Sequence, residues 1–242
     1  SGRGGVLLIE GSVGLGKSAL LRELERESRL LGARVFAINA RAHQSPFGTC
    51  RALLELSVTE LGDVARACVP KDLFDSPSGA LLLEPDERAE LPPDRRIERI
   101  VTAFVELARL APIVLAIDDG DHADMDSIAA LSVLSEQLNE HALSIALAAD
   151  ADSASEQVAL RVLRRISVRV RVTPLTTAEL ERLTRAMFGD APGVRRLSAF
   201  LVEQTSGNPM LSMELLTEFV NTRAIRYEDG AWVLPQSYPD AP

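Results

Sequence analysis

The eight residues Gly11-Ser-Val-Gly-Leu-Gly-Lys-Ser18 constrain this chain more than any other stretch. They match the spacing G-x-x-x-x-G-K-[ST], follow the strand-like run Val6 to Glu10, and open a stretch, Lys17 to Leu31, with Leu20, Leu21, Leu24 and Leu31 on one side and Arg and Glu on the other. Strand, glycine-rich loop and helix in that order make a phosphate cradle. The glycines let the backbone wrap closely round phosphate oxygens, the amide N–H groups point inward, and the helix N-terminus adds positive potential. Lys17 supplies a cation to the β- and γ-phosphates, and Ser18 offers its hydroxyl to Mg²⁺. The candidate nucleotide contacts are Gly11, Gly14, Leu15, Gly16, Lys17, Ser18 and Ala19, with Lys17 also counted as a catalytic cation. The plainer alternative is a glycine-rich turn before a helix that happens to carry Lys-Ser.

A second stretch, Leu115-Ala-Ile-Asp-Asp-Gly-Asp-His-Ala-Asp-Met-Asp126, sets five aspartates directly behind the apolar run Ile113 to Ile117. Carboxylates beside a core are costly unless a cation or hydrogen-bond donors meet them. Asp118, at the end of the apolar strand, is the expected protein ligand of Mg²⁺ together with Ser18. Asp119 is the expected group to orient or deprotonate an attacking water, with loop capping as its alternative. Asp121, Asp124 and Asp126 lie where turn and helix-cap duties explain aspartate. The calcium-loop spacing fails from every starting Asp. His122 has no second ligand at metal spacing and reads as a loop residue, and His43 and His141 carry no signal.

Strand-like and helix-like stretches alternate along the chain. The strands are Val6 to Glu10, Arg34 to Ala40, Ile113 to Asp118, Leu143 to Ala149 and the alternating Ser167 to Val172. Between them lie helical patterns at Cys50 to Leu61, at Ile97 to Ala108 with Asp94 as cap, near Met125 to Leu138 and near Ala154 to Arg164, while prolines and acidic residues over 69–93 suggest an irregular insertion. Helical crossovers between strands predict an α/β fold, a mostly parallel sheet covered by helices on both faces. From Thr176 the pattern is almost wholly helical. The expected division is a core over 1–173, a helical lid over 174–222, and the start of a winged-helix-like region over 223–242.

Composition removes some function classes. A formal net charge of -9 argues against a broad grip on nucleic acid or an anionic membrane, and 4% aromatic residues offer no stacking platform for single strands. Cys50 and Cys68 have no metal spacing and cannot form a disulfide framework, which fits a reducing compartment. No apolar run approaches the roughly 18 residues of a membrane span, so the expected setting is the cytoplasm. The start at Ser1, directly ahead of a strand, reads as a piece of a longer protein.

The segments VLLIEGSVGLGKSALLREL, PIVLAIDDGDHADMDSIAALSVL, TSGNPMLSMELL and AIRYEDGAWVLP together resemble the ATPase module of signal-transduction ATPases with numerous domains, an AAA-like P-loop class that includes bacterial examples joined to Ser/Thr kinases, nucleotide cyclases or LuxR-type regulators. The resemblance covers nearly the whole chain. It implies that Gly207, Asn208 and Pro209 lie on the helical lid against the adenine side of the nucleotide, with Pro209 a contact; without the resemblance, Gly-Asn-Pro is a helix break. This chain departs from the family after the third apolar strand, where a Leu and a Trp are replaced. It departs again after Ala149, where "ADADSAS" stands in place of a segment carrying an arginine that senses the γ-phosphate and the next arginine is Arg161. The resemblance also implies a Gly-Arg adenine segment some 20 residues ahead of the first strand, a position that falls before Ser1.

The expectation is an ATP- and Mg²⁺-dependent switch with weak hydrolysis, attached to signalling or regulatory domains and capable of nucleotide-dependent self-association. Its alternatives are a nucleic-acid-associated ATPase of the origin-recognition type, a degenerate scaffold without turnover, and a small-molecule kinase.

Overall fold

The structure is a computed structural model that describes residues 4–70, 73, 92–151 and 158–238. Most of the insertion expected at 69–93 and the start of the helix expected at Ala154 lie outside the described residues.

The chain divides into two compact units, Ser1–Glu10 with Lys17–Arg171, and Gly11–Gly16 with Val172–Pro242. In the first unit the sheet has the order β2-β3-β4-β1-β5, built from β1 (Val6–Gly11), β2 (Arg34–Asn39), β3 (Ile113–Asp118), β4 (Leu143–Asp150) and β5 (Val168–Arg171). It is the parallel sheet that the alternating pattern predicts: β2 on β3, β3 on β4 and β1 on β5 all run parallel. The helices are α1 (Lys17–Leu30), α2 (Gly48–Leu61), α3 (Asp63–Cys68), α4 (Pro93–Leu110), α5 (Met125–Ser135) and α6 (Val158–Ile166).

Successive strand residues face opposite sides, and the packing divides accordingly. Leu8, Ile113, Leu115, Ile117, Ile145 and Leu147 enter one large core with Leu53, Leu54, Phe104, Leu107, Ile128 and Leu131 from α2, α4 and α5. Ile9, Ala116, Ala146 and Ala148 point the other way and are equally buried, on the side where α1 packs across β2, β3 and β4. Both faces are therefore covered, and each wholly buried Leu or Ile contributes roughly 1.5–3 kcal/mol. The small residues on the second face let α1 approach the sheet closely.

Local details differ from the sequence pattern in three places. Only Leu21 of the apolar residues expected along α1 is buried, at 2% exposure, whereas Leu31 is 87% exposed beyond the helix end. Gly32 (φ 89°) turns the chain there, and the Gly32 and Ala33 N–H groups donate to the Arg29 and Ser28 carbonyls. At α4, Asp94 is not the cap: Pro93 occupies the first helical position and Asp94 sits inside the first turn, where its charge still favours the helix dipole. The alternation in Ser167–Val172 does not mark a half-buried strand, because all four residues of β5 are exposed at the sheet edge.

The second unit holds α7 (Thr177–Phe188), α8 (Val194–Thr205), α9 (Pro209–Asn221) and a hairpin of β6 (Arg226–Glu228) and β7 (Ala231–Val233). Leu180, Leu197, Leu201 and Leu216 form its core. Trp232 of β7 meets Phe188 edge-on with centroids 5.2 Å apart, and Tyr238 stacks on Phe200 at 4.5 Å. The phosphate-loop residues Gly11–Gly16 group with this unit.

Candidate nucleotide site

The carboxyl ends of parallel strands, where ligands of open α/β sheets bind, gather most of the residues singled out by sequence. Lys17 and Ser18 open α1, both half-buried, and Ala19 beside them is exposed. Asp118 closes β3, and alternation from Leu115 and Ile117 places it on the sheet face that α1 covers. One strand, β4, stands between β1 and β3. Strands β1 and β3 are thus about 10 Å apart, two strand spacings. The donor set of hydroxyl, carboxylate and ammonium fits Mg²⁺ and a polyphosphate.

Within the second unit the loop Gly11–Gly16 has left-handed backbone at Gly14 (φ 81°) and Gly16 (φ 101°), which glycine adopts without strain. Leu15 is buried, so its side chain anchors the loop. A Cβ on Gly16 would meet nothing within 4 Å, so the loop borders open space there; a Cβ on Gly14 would stand 2.7 Å from Asn208 Oδ1. Pro209 occupies the first position of α9, behind the cap residue Asn208.

Asp119 is held by two side chains from β2 and the turn after it. It takes a left-handed conformation (φ 50°, ψ 43°), donates its N–H to Asp118 Oδ1 at 3.0 Å, and its own carboxylate caps nothing. Instead its Oδ2 accepts from Asn39 Nδ2 at 3.1 Å and from Arg41 Nε at 2.8 Å. Arg41 is itself placed by Asn39, whose Oδ1 accepts the Arg41 N–H at 3.0 Å. Partial burial pushes the Asp119 carboxyl up, but the hydrogen bonds from Asn39 and Arg41, with the charges of Arg41 and His122, outweigh it and hold the pKa below the ordinary value.

Asn39 and Arg41 are the residues that sequence reasoning missed. Both stand at the carboxyl end of β2, and β2 pairs with β3 so that Asn39 is opposite Asp118. The signal lay in "INAR" directly after an apolar strand, but using it requires the strand order. The remaining acids divide as their positions suggest. Asp124 accepts from Phe47 N–H (2.8 Å), Thr49 N–H (3.1 Å) and Ser127 N–H (2.9 Å), and buried Asp121 accepts from Asp150 N–H at 3.2 Å. At the end of β4, where the resembled family carries an arginine, Asp150 is tied to Asp121 in this way. Arg164 is occupied elsewhere, with its Nε 2.9 Å from the buried Glu10, which Arg169 also pairs at 2.5 Å. Among the described residues no group of three His, Cys, Asp or Glu could hold a metal by itself. Cys50 is wholly buried and its thiol is pushed up to about 12, chiefly by burial, which leaves it inert.

The pattern of the AAA ATPase domain family matches residues 1–148. No curated protein matches the sequence. Among solved structures, the chain is similar to the Aeropyrum pernix ORC1 protein in complex with DNA (22% identity, TM-score 0.53, 91% of this chain and 54% of that one). It is similar also to Cdc6p from Pyrobaculum aerophilum (15%, TM-score 0.57, 90% and 55%). A third is a signal transduction ATPase with numerous domains, with a tetratricopeptide repeat sensor, from Pyrococcus horikoshii (15%, TM-score 0.53, 86% and 27%). The chain thus spans little more than half the length of the first two and about a quarter of the third. At these identities the likeness is one of fold.

Proposed function

The chain belongs to the AAA ATPase domain family, and from that premise we propose that it is an ATP-binding, slowly hydrolysing switch module of a larger cytoplasmic signalling or transcription-regulatory protein. One observation supports the reading: Asp118 ends β3 of the parallel sheet whose β1 leads toward Lys17 and Ser18 at the start of α1, while Asp119, the acid that would activate water, is engaged by Asn39 and Arg41.

Lys17, with the N–H groups of the loop and of the first turn of α1, binds and orients the phosphates. Ser18 and Asp118 would hold Mg²⁺, which when bound neutralises charge building on the phosphate oxygens. Asp119 orients the attacking water and takes its proton at Oδ2, the atom that Asn39 and Arg41 occupy. A carboxylate whose pKa is held down is also the weaker base. Both effects favour a long-lived ATP state and a slow reset, which suits a switch better than a motor. Attached domains that sense this state, and nucleotide-dependent self-association, follow from the resemblance to signal-transduction ATPases; the Pyrococcus horikoshii protein of that class, with its repeat sensor, has the same fold over this chain.

Titration calorimetry of MgATP into the protein and its Lys17→Ala variant tests the reading. Lys17 is half-buried and opens a helix without entering the core, so the variant should keep its folding transition and lose nucleotide affinity by a hundredfold or more, about 3 kcal/mol. Equal affinity in the folded variant sinks the proposal.

A further inference from the structure

We infer that Asn208 is a positioning residue for the phosphate loop, holding the loop's backbone through the Val13 carbonyl so that affinity for phosphate depends on the first turn of α9. The inference rests on the reading of Gly11 to Ser18 as a phosphate cradle. It departs from the expectation that Gly207, Asn208 and Pro209 serve the adenine side.

The two ends of one amide do different jobs. Asn208 Oδ1 accepts from the N–H groups of Met210 (3.0 Å) and Leu211 (3.3 Å) and so caps α9. Its Nδ2 donates to the Val13 carbonyl at 3.0 Å. The orientation of the amide follows from these partners, since one end faces only donors and the other a carbonyl that only accepts. The Met210 N–H donates in addition to the Gly14 carbonyl at 3.2 Å. Two successive loop carbonyls are therefore held by one helix start, and all of these residues belong to the same compact unit.

Asn208 is itself fixed from behind. Gly207 is buried at φ 76°, where a Cβ would stand 2.2 Å from the Leu175 carbonyl, and its own carbonyl accepts the Leu175 N–H at 2.8 Å. Ser212 Oγ donates to the Asn208 carbonyl at 2.8 Å. On the loop side, Gly14 approaches so closely that a Cβ there would lie 2.7 Å and 2.9 Å from the two ends of the Asn208 amide. The side chain is a fixed point, and the loop is set against it.

Peptide planarity turns that contact into a consequence for phosphate. In a trans peptide the carbonyl and the following N–H point in opposite directions. Holding the Val13 and Gly14 carbonyls toward α9 aims the Gly14 and Leu15 N–H groups away from it, two of the donors available to an anion in the loop. The Leu15 N–H has a competing turn bond to the Ser12 carbonyl that is long, at 3.4 Å. Released from Asn208, the Val13–Gly14 peptide is free to flip and present its carbonyl dipole to the phosphate instead, whereas the Gly14 carbonyl keeps the Met210 N–H.

The test separates the cap from the loop bond. Asn208→Ser keeps an oxygen that caps α9 but is too short to donate to Val13; Asn208→Asp keeps both cap and size and replaces the donor by an acceptor. MgATP and pyrophosphate are titrated into the 242-residue chain and both variants, with thermal unfolding recorded without ligand. Each variant should unfold within a few degrees of the parent yet bind both ligands about tenfold more weakly, the loss expected for one ordered hydrogen bond and its pre-organisation. Asn208→Asp keeps the test decisive where Asn208→Ser fails to fold. Unchanged affinity for both ligands overturns the inference. A loss confined to MgATP, with pyrophosphate unaffected, also overturns it by placing Asn208 on the adenine side. Failure of the parent protein to bind either ligand removes the phosphate-cradle reading itself, and the inference with it.

Discussion

At the scale of single residues, the pair Asp118 and Asp119 is the instructive case. Their positions were legible because an apolar strand ending in two acids has few structural uses, but their environments were not, since Asn39 and Arg41 come from nearly eighty positions earlier in the chain. The Asp119 carboxylate gains its partners only in the folded state, so its pKa is lowered there. A lowered folded pKa contributes stability above the ordinary Asp value, near 4, and loses it as pH falls through the folded value. Asp119 therefore stays ionised at neutral pH, and its restraint is removed by mutation rather than by titration. Single-turnover hydrolysis in the Arg41→Ala protein should be faster than in the parent by about three- to tenfold, a small part of what a positioned base can supply. Asp119→Asn should be slower than both while still binding MgATP. A slower Arg41→Ala protein would mean that Arg41 serves the phosphates rather than restrains the acid.

Elements were easiest to read where one face is buried and both ends are punctuated. Helix α7 shows it: Thr176 accepts the Glu179 N–H and the Glu179 carboxylate accepts the Thr176 N–H, a reciprocal cap visible as T-x-x-E. Helix α2 was harder, because it starts two residues earlier than its pattern suggests, after Phe47 in a left-handed conformation with no cap of its own. Its cap is borrowed. Asp124, which caps α5, also accepts the Phe47 and Thr49 N–H groups, so one carboxylate fastens two helices whose starts are 77 residues apart in sequence. Asp124→Ala leaves three N–H groups on buried residues without their acceptor. The expected cost is about 2–4 kcal/mol, read as a lower urea midpoint with an unchanged slope. A loss under 1 kcal/mol would show that these N–H groups find other acceptors.

On the scale of the whole molecule, net charge bears on the nucleic-acid alternative. The ORC1 protein with the same fold was solved with DNA, whereas this chain carries a net charge of -9. Counterion release demands cationic contacts to phosphates, and the exposed arginines near the sheet edge, Arg165, Arg169 and Arg171, are few against that balance. Fluorescence anisotropy with a labelled duplex at about 0.15 M salt should show no saturable binding at micromolar protein. Saturable binding that weakens in Arg165→Ala and Arg171→Ala would move the proposal toward a DNA-associated ATPase. Among the described residues no helix is long and apolar enough to cross a membrane.

The sequence by itself determined what depends on near neighbours along the chain. The loop chemistry of Gly11 to Ser18, the apolar strand ending in Asp118, the amphipathic face of α4 and the cap of α7 are each written within about twenty residues, where spacing translates directly into backbone geometry. Tertiary structure alone decided which strand ends stand side by side. The order β2-β3-β4-β1-β5 places Asn39 and Arg41 on Asp119 and puts one strand, β4, between β1 and β3. It leaves β5 exposed at an edge although its sequence alternates. Likewise, nothing in the run Ser206-Gly-Asn-Pro209 says that its asparagine reaches back 195 positions to the Val13 carbonyl. Contacts of that range are set by how two faces pack, and packing responds to the combined shape of many side chains, which no local pattern encodes.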